Sequence, residues 1–311
     1  MSPTIVTLGC GALGSLFSHH LSLASARVMG LDLFQAHVDK ICQQGLRLRQ
    51  DGLNLSSSFQ QAVIRPELAP RPDFLLVLVK GYSTHEAMMS VSRLIGPDTV
   101  IVTLQNGLGN LEVIQELYPH QEILYGLTTL TSEIIEPGVI APKSTAQGNT
   151  DLWTTRPDQG DAVERFADLL RKGGIAGRAT PRISHSIWKK LAVNCTFNGL
   201  CALTQTNCGE MIDRPGTWAL FDGIADEIEQ LAGLEGVELI PGSTRQYLRE
   251  VGEVSRAHFP SMVSDVRNRR RTEIDNLNGA VLKRSERAGL AAPHNRQVYL
   301  QVKALEAAYL G

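Results

Sequence analysis

The sequence is poor in cysteine and in aromatic residues, and it has no long apolar run. Five cysteines in 311 residues (Cys10, Cys42, Cys195, Cys201 and Cys208) are too few and too scattered for a disulfide framework. None forms a Cys-x-x-Cys pair, which points to free thiols in a reducing compartment. The longest uninterrupted apolar stretch is Phe74 to Val79, far short of the ~18 residues that a membrane span needs. No basic segment precedes an apolar one at the N-terminus, so export is not expected and a cytoplasmic protein is. Neither sign of charge dominates: 30 Lys and Arg face 32 Asp and Glu, a net of −2. That balance argues against a bulk electrostatic grip on nucleic acid or on an anionic membrane. The eight histidines contain no His-Glu-x-x-His and the cysteine spacings fit no zinc site, so no metal is expected. A serine-hydrolase elbow, Gly-x-Ser-x-Gly, is absent as well.

What is there reads as two ordinary globular domains. Hydrophobic residues make up 43% and charged residues 20%, and the length suits a pair of domains. Short branched runs at 4–8, 27–31, 74–79 and 100–104 alternate with helical spacing at 12–25, 35–45, 83–95 and 110–118. That alternation predicts a parallel sheet with helices on its faces. Residues 122–155 look like a strand-rich continuation, and a helix is expected over 158–172. Gly173, Gly174, Gly177 and Pro181 then place a boundary near 180. Beyond it, 184–207, 216–235, 243–257 and 272–288 read as helices, with Pro241-Gly242 and Pro260 as breakers. The expected organisation is an α/β domain over 1–180 and an all-helical domain over 181–311.

Gly9-Cys10-Gly11-Ala12-Leu13-Gly14 follows the first predicted strand and opens the first predicted helix. In such a loop the first glycine makes a tight turn, the second admits a pyrophosphate and the third lets helix pack on strand. The free amides of the helix N-terminus then favour the negative charge. Asp32 stands eighteen residues after Gly14 at the end of the second strand, where a carboxylate accepts hydrogen bonds from an adenosine ribose. The same carboxylate would repel a 2′-phosphate, which favours NADH over NADPH.

The segment Ile187 to Asn198 is apolar enough to be buried, yet it carries Lys190, Asn194 and Asn198 at i, i+4 and i+8. On a regular helix these fall within an arc of ~80°. Unpaired polar groups in a dry site cost about 1–3 kcal/mol each, so the stripe faces water, a second helix or a ligand. One cation and two amides suit an oxyanion or a carboxylate. Thr272 with Asp275 reads as a capping pair opening a helix, with Glu273 in its first turn. Arg267-Asn268-Arg269-Arg270-Arg271 reads as a solvated loop, and Met88-Met89 and Trp218 read as core.

Together these stretches resemble the ketopantoate reductase (2-dehydropantoate 2-reductase) family over nearly the whole chain. The matching residues are Gly9 to Gly14, Val79-Lys80-Gly81-Tyr82, Gln105-Asn106-Gly107, Trp188 to Asn198, Ser261-Met262 with Asp265, and Thr272-Glu273-Ile274-Asp275 before Asn278-Gly279. The resemblance implies a Rossmann-type domain followed by a helical domain like the C-terminal part of 6-phosphogluconate dehydrogenase. It implies hydride transfer from NAD(P)H to the ketone of ketopantoate, with Lys190 as general acid and Glu273 binding the forming hydroxyl. Asn194, Asn198 and Ser261 would hold the substrate, and Asn106 would touch both substrate and cofactor. Gly9, Cys10, Gly11, Ala12, Leu13, Gly14, Asp32, Lys80 and Glu273 complete the implied cofactor contacts.

The sequence also departs from the family pattern. Members that use NADPH, the family norm, often carry a basic residue where Asp32-Leu33-Phe34 stands. The stretch Leu31 to Val38 is instead similar to NADH-dependent relatives that reduce branched or aromatic 2-keto acids, the D-mandelate dehydrogenase type. Gly199 and Cys201 replace a common proline and threonine, and Pro260 replaces a serine. Two further readings therefore stand beside pantoate formation. One is a reductase of other 2-keto acids, and the other is a dinucleotide-binding sensor without turnover. A small 2-keto acid is the expected partner, and an apolar helix face in the second half leaves a homodimer open.

Overall fold

The protein is described by a computed structural model covering residues 2–50, 53–143, 148–158 and 160–311. The chain divides into two compact units, Met1–Gln105 with Asn110–Ile183, and Asn106–Gly109 with Ser184–Gly311.

The first unit opens with β1 (Thr4–Leu8), α1 (Ala12–Leu23), β2 (Arg27–Leu31) and α2 (Gln35–Gln44), followed by three short strands, β3 (Arg47–Gln50), β4 (Leu53–Ser56) and β5 (Ala62–Val63). Next come β6 (Phe74–Val77), α3 (Thr84–Ser90), β7 (Val100–Thr103), α4 (Asn110–Leu117) and β8 (Ile123–Thr128). The unit closes with β9 (Ser132–Glu136), β10 (Val139–Pro142), β11 (Asn149–Thr154), α5 (Ala162–Lys172) and β12 (Ala176–Ala179). Among the described residues, eight strands form one sheet in the order β12-β11-β8-β7-β6-β1-β2-β5. Every neighbouring pair is parallel except β8 with β11. All five residues of β1 are buried, as expected of a parallel strand covered on both faces. From β1 the chain moves to β2 on one side and to β6 on the other, which makes the C-terminal end of β1 a topological switch point. The fold class expected for this half is observed.

The strand-rich region 122–155 does not build one continuous sheet. β9 and β10 leave the main sheet and join β3 and β4 in a second one, ordered β4-β3-β10-β9. Core expectations also need one correction: Met88 is fully buried, but Met89 is exposed.

The second unit is helical: α6 (Ile183–Val193), α7 (Gly199–Thr204), α8 (Cys208–Ile212), α9 (Thr217–Leu234), α10 (Ser243–Val254), α11 (Ser261–Arg267), α12 (Asn278–Arg287) and α13 (Pro293–Leu310). Phe197 and Phe221 meet edge-to-face at 4.8 Å in its core, and Trp218 packs on Phe221 at 5.4 Å. Helix α13 was not expected, and its buried stripe explains why. Asn295, Val298, Val302 and Glu306 point inward, so two of four core positions are polar and the apolar period is broken. Glu227, buried on α9, accepts from the backbone nitrogens of His294 (2.7 Å) and Asn295 (3.0 Å) at the start of α13. It also accepts from His294 Nδ1 (2.7 Å) and Asn295 Nδ2 (2.8 Å). The carboxylate is thereby satisfied while it fixes the helix start.

Among the described residues no helix is long and apolar enough to cross a membrane. Among them, too, no group of three His, Cys, Asp or Glu side chains could hold a metal ion.

Candidate active site

The glycine loop leaves the C-terminal end of β1. Gly9 has φ +90°, and a Cβ there would stand 2.6 Å from the Val79 nitrogen. A Cβ on Gly14 would come within 2.1 Å of the Gly9 carbonyl oxygen, so β1, β6 and α1 approach one another only without side chains. At Gly11 the nearest atom is Asp32 Oδ2, 4.0 Å from where a Cβ would stand. Open space at the helix N-terminus beside a carboxylate is the shape that a dinucleotide requires. The other Asp32 oxygen, Oδ1, accepts from the Phe34 nitrogen at 2.9 Å, which holds the carboxylate in place. Leu33 is exposed and Phe34 half-exposed, and neither carries a charge.

Two residues that sequence reasoning missed stand under this loop. The Gly138 nitrogen donates to His37 Nδ1 at 3.0 Å, and His37 Nε2 lies 3.0 Å from Ser15 Oγ. Ser15 Oγ donates to the Cys10 carbonyl at 3.0 Å. With Nδ1 accepting, the neutral ring carries its proton on Nε2 and donates it to Ser15. Burial holds the His37 pKa below its ordinary value, against the opposing pull of Asp32. The peptide is planar and trans, so fixing the Cys10 carbonyl also fixes the direction of the Gly11 N–H.

Lys80 is half-buried, three residues beyond the end of β6. Its loop is tied down by Gln105, whose Nε2 donates to the Val79 carbonyl and to Thr84 Oγ1, both at 2.8 Å. Thr84 in turn donates to Asn110 Oδ1 at 2.9 Å. Asn106 and the three residues after it cluster with the second unit. The Leu108 nitrogen donates to the Asn276 carbonyl at 3.0 Å. Gly107 has φ +82°, and a Cβ there would lie 2.2 Å from the same carbonyl oxygen. The segment 106–109 is thereby packed on the turn that carries Glu273. Gly107→Ala is expected to cost upward of about 1–2 kcal/mol from left-handed backbone alone. Thermal unfolding reads that loss, and a raised KM for the keto acid reads the displacement of Asn106.

The regular helix expected through 184–207 is not observed. Residues Asn194–Asn198 form a π-helical turn between α6 and α7. A π turn is wider than an α turn and recurs at functional sites, so Asn198 leaves the simple i+8 stripe. Two observations account for it: Thr196 Oγ1 bonds back to the Ala192 and Val193 carbonyls (2.8 and 3.0 Å), and Asn278 Nδ2 donates to the Cys195 carbonyl at 3.1 Å. Among the described residues, the buried Asn194 amide nitrogen has no hydrogen-bond partner. Such a donor awaits an acceptor, since leaving it unmet is costly. Asn198 is buried and Lys190 half-buried. Desolvation pulls the Lys190 pKa from 10.5 down to about 8, and the Glu273 carboxylate nearby opposes that fall. Ser261 stands exposed at the first position of α11, a helix that packs against both the π turn and α7.

Thr272 and Asp275 do not cap a helix, which starts only at Asn278. The Thr272 nitrogen and hydroxyl both donate to Glu306 Oε1, at 2.6 and 2.7 Å. Asp275 accepts from Arg271 Nη2 (3.1 Å), Tyr299 OH (3.1 Å) and Lys303 Nζ (3.2 Å). These tertiary bonds replace the local cap and leave Glu273 buried in an irregular turn.

A family model described as Ketopantoate reductase PanE/ApbA matches residues 5–154, and one described as Ketopantoate reductase PanE/ApbA C terminal matches 182–306. A curated 2-dehydropantoate 2-reductase of Streptococcus pyogenes is 30% identical, with 96% of each chain covered. One from Vibrio cholerae is 28% identical, with 97% of each covered. Among solved structures, a D-mandelate dehydrogenase with NADH and anilino(oxo)acetate matches with a TM-score of 0.93 at 27% identity. That match covers 99% of this chain and all (100%) of the other. A 2-dehydropantoate 2-reductase from Geobacter metallireducens matches with a TM-score of 0.88 at 26% identity, over 97% of this chain and 99% of the other.

Proposed function

Because the chain belongs to the ketopantoate reductase PanE/ApbA family, we propose that it reduces the ketone of a 2-keto acid to the 2-hydroxy acid, with ketopantoate as substrate and NADH as cofactor. The observation that carries the reading is the Lys190–Glu273 pair beside the unpartnered Asn194 amide.

The dinucleotide would lie along Gly9 to Gly14, with its adenosine ribose on Asp32 and with Lys80, Asn106 and Glu273 as further contacts. When bound, the reduced nicotinamide supplies the hydride. As the carbonyl carbon is reduced, its oxygen gains negative charge, and the Lys190 ammonium gives that oxygen a proton. Glu273 accepts a hydrogen bond from the hydroxyl that forms and keeps the lysine charged until transfer. Asn194, Asn198 and Ser261 hold the carboxylate and hydroxyl of the substrate, and Asn106 touches substrate and cofactor. The amide donors stabilise charge without having to reorganise.

The acid works in its protonated form, which dominates below its pKa. Reduction is therefore expected to be flat below about pH 8 and to fall roughly tenfold per unit above it. The reverse oxidation needs neutral lysine and rises with pH over the same range. Initial rates in both directions across pH 6–10, a range chosen to span about two units either side of that pKa, test the pair of profiles.

A second reading, reduction of branched or aromatic 2-keto acids, is favoured by Asp32-Leu33-Phe34 and by the NADH-bound D-mandelate dehydrogenase likeness. The fall in nicotinamide absorbance separates the readings when ketopantoate is run beside a panel of such acids, each with NADH and with NADPH. Turnover of ketopantoate supports the first reading, and turnover of the panel alone supports the second. Dinucleotide binding with no turnover anywhere would leave a redox sensor.

A further inference from the structure

We infer that Glu306, thirty-three residues from Glu273 on the last helix, is a positioning residue that sets where the Glu273 carboxylate stands. The inference rests on the proposed pairing of Glu273 with Lys190. Glu306 is 2% exposed. One oxygen of its carboxylate receives both the backbone nitrogen (2.6 Å) and the hydroxyl (2.7 Å) of Thr272. Bonds to an ionised acceptor are short and strong, and here two of them converge on the residue directly before Glu273. The Thr272 hydroxyl oxygen also accepts from the Ile274 nitrogen at 3.2 Å, so one side chain brackets Glu273 from both sides.

Charge around Glu306 is balanced within the same cluster. Lys303 Nζ lies 3.0 Å from Glu306 Oε2 and 3.2 Å from Asp275 Oδ2, and the Tyr299 and Tyr309 hydroxyls feel the Glu306 charge. Arg271, which also pairs with Asp275 at 3.1 Å, completes the set. Lys303 thus holds one oxygen of the carboxylate while the other faces Thr272. Without that anchor the turn loses its tie to α13, and Glu273 loses its fixed separation from Lys190. Glu273 raises the proton affinity of Lys190, so displacement has a readout that loss of general stability would not produce.

The test compares wild type with Glu306→Ala, Glu306→Gln and Thr272→Val. Competitive acetylation across pH, read by peptide mass spectrometry, reports the pKa of Lys190 without any substrate. Glu306→Ala is expected to lower it by roughly 1 unit, the scale of a lost neighbouring charge. The alkaline limb of kcat should move down with it, and kcat should drop roughly 10- to 100-fold, as misplacement by an ångström does. Glu306→Gln keeps the acceptor for Thr272 and should restore both readings towards wild type. If Glu306→Ala does not fold, Thr272→Val removes only the hydroxyl and should shift the pKa in the same direction. A Lys190 pKa unmoved in a folded Glu306→Ala or Thr272→Val protein overturns the inference. A wild-type protein that reduces no 2-keto acid overturns the functional reading instead, while the acetylation profile still decides the linkage.

Discussion

Lys190→Ala is expected to lower kcat for 2-keto acid reduction by about 10²- to 10⁴-fold, the range that a positioned general acid supplies. The loss should fall on kcat more than on KM, because the proton is needed only as charge builds on the ketone oxygen. Dinucleotide binding, read by quenching of protein fluorescence, should survive, since the glycine loop and Asp32 belong to the other unit. Lys189→Ala is the control: its ammonium lies 5.9 Å from the ring centre of Tyr247 on α10. Near-normal turnover in Lys190→Ala would remove the lysine from the role of acid.

The double change Asp32→Ser with Leu33→Arg should turn the cofactor preference towards NADPH. Two effects add. Asp32 no longer repels a 2′-phosphate or rewards a free ribose hydroxyl, and an arginine at the exposed position 33 gains a charged partner. Charge-assisted hydrogen bonds contribute about 1.5–3 kcal/mol each. A combined shift of about 2–4 kcal/mol corresponds to roughly 30- to 1000-fold in the NADPH/NADH ratio of kcat/KM. Because the Phe34 nitrogen bonds to Asp32 Oδ1, serine at position 32 still offers that amide an acceptor and the turn should hold. A ratio that does not move would mean that Asp32 lies away from the ribose.

The central sheet was legible because burial on both faces writes itself as uninterrupted apolar runs, and β1, β6 and β7 are buried at every position. The second sheet was not. β3 and β9 carry Arg47, Arg49, Glu133 and Glu136 on partly exposed strands, so no apolar alternation marks them. The glycine loop and the lysine–asparagine segment were legible as residue types at fixed spacings. Their detailed geometry was not, because tertiary bonds decide it. Asn278, distant in sequence, takes the Cys195 carbonyl and favours the π turn. Glu306 takes Thr272 and displaces the expected cap. Nothing in the sequence sets His37 and Ser15 apart, and only the approach of Gly138 from β9–β10 reveals the chain of bonds to Cys10.

The allegiance of residues 106–109 bears on how this protein can be recombined with its relatives. A chimera joined near residue 183 would take Gly107 and Leu108 from one parent and Asn276 from the other. The Leu108 bond to the Asn276 carbonyl, and the gap that only glycine fits beside it, would then have to match by chance. Inheritance of these four residues with the C-terminal parent keeps that contact native, so the useful crossover is a two-segment exchange and not a single cut.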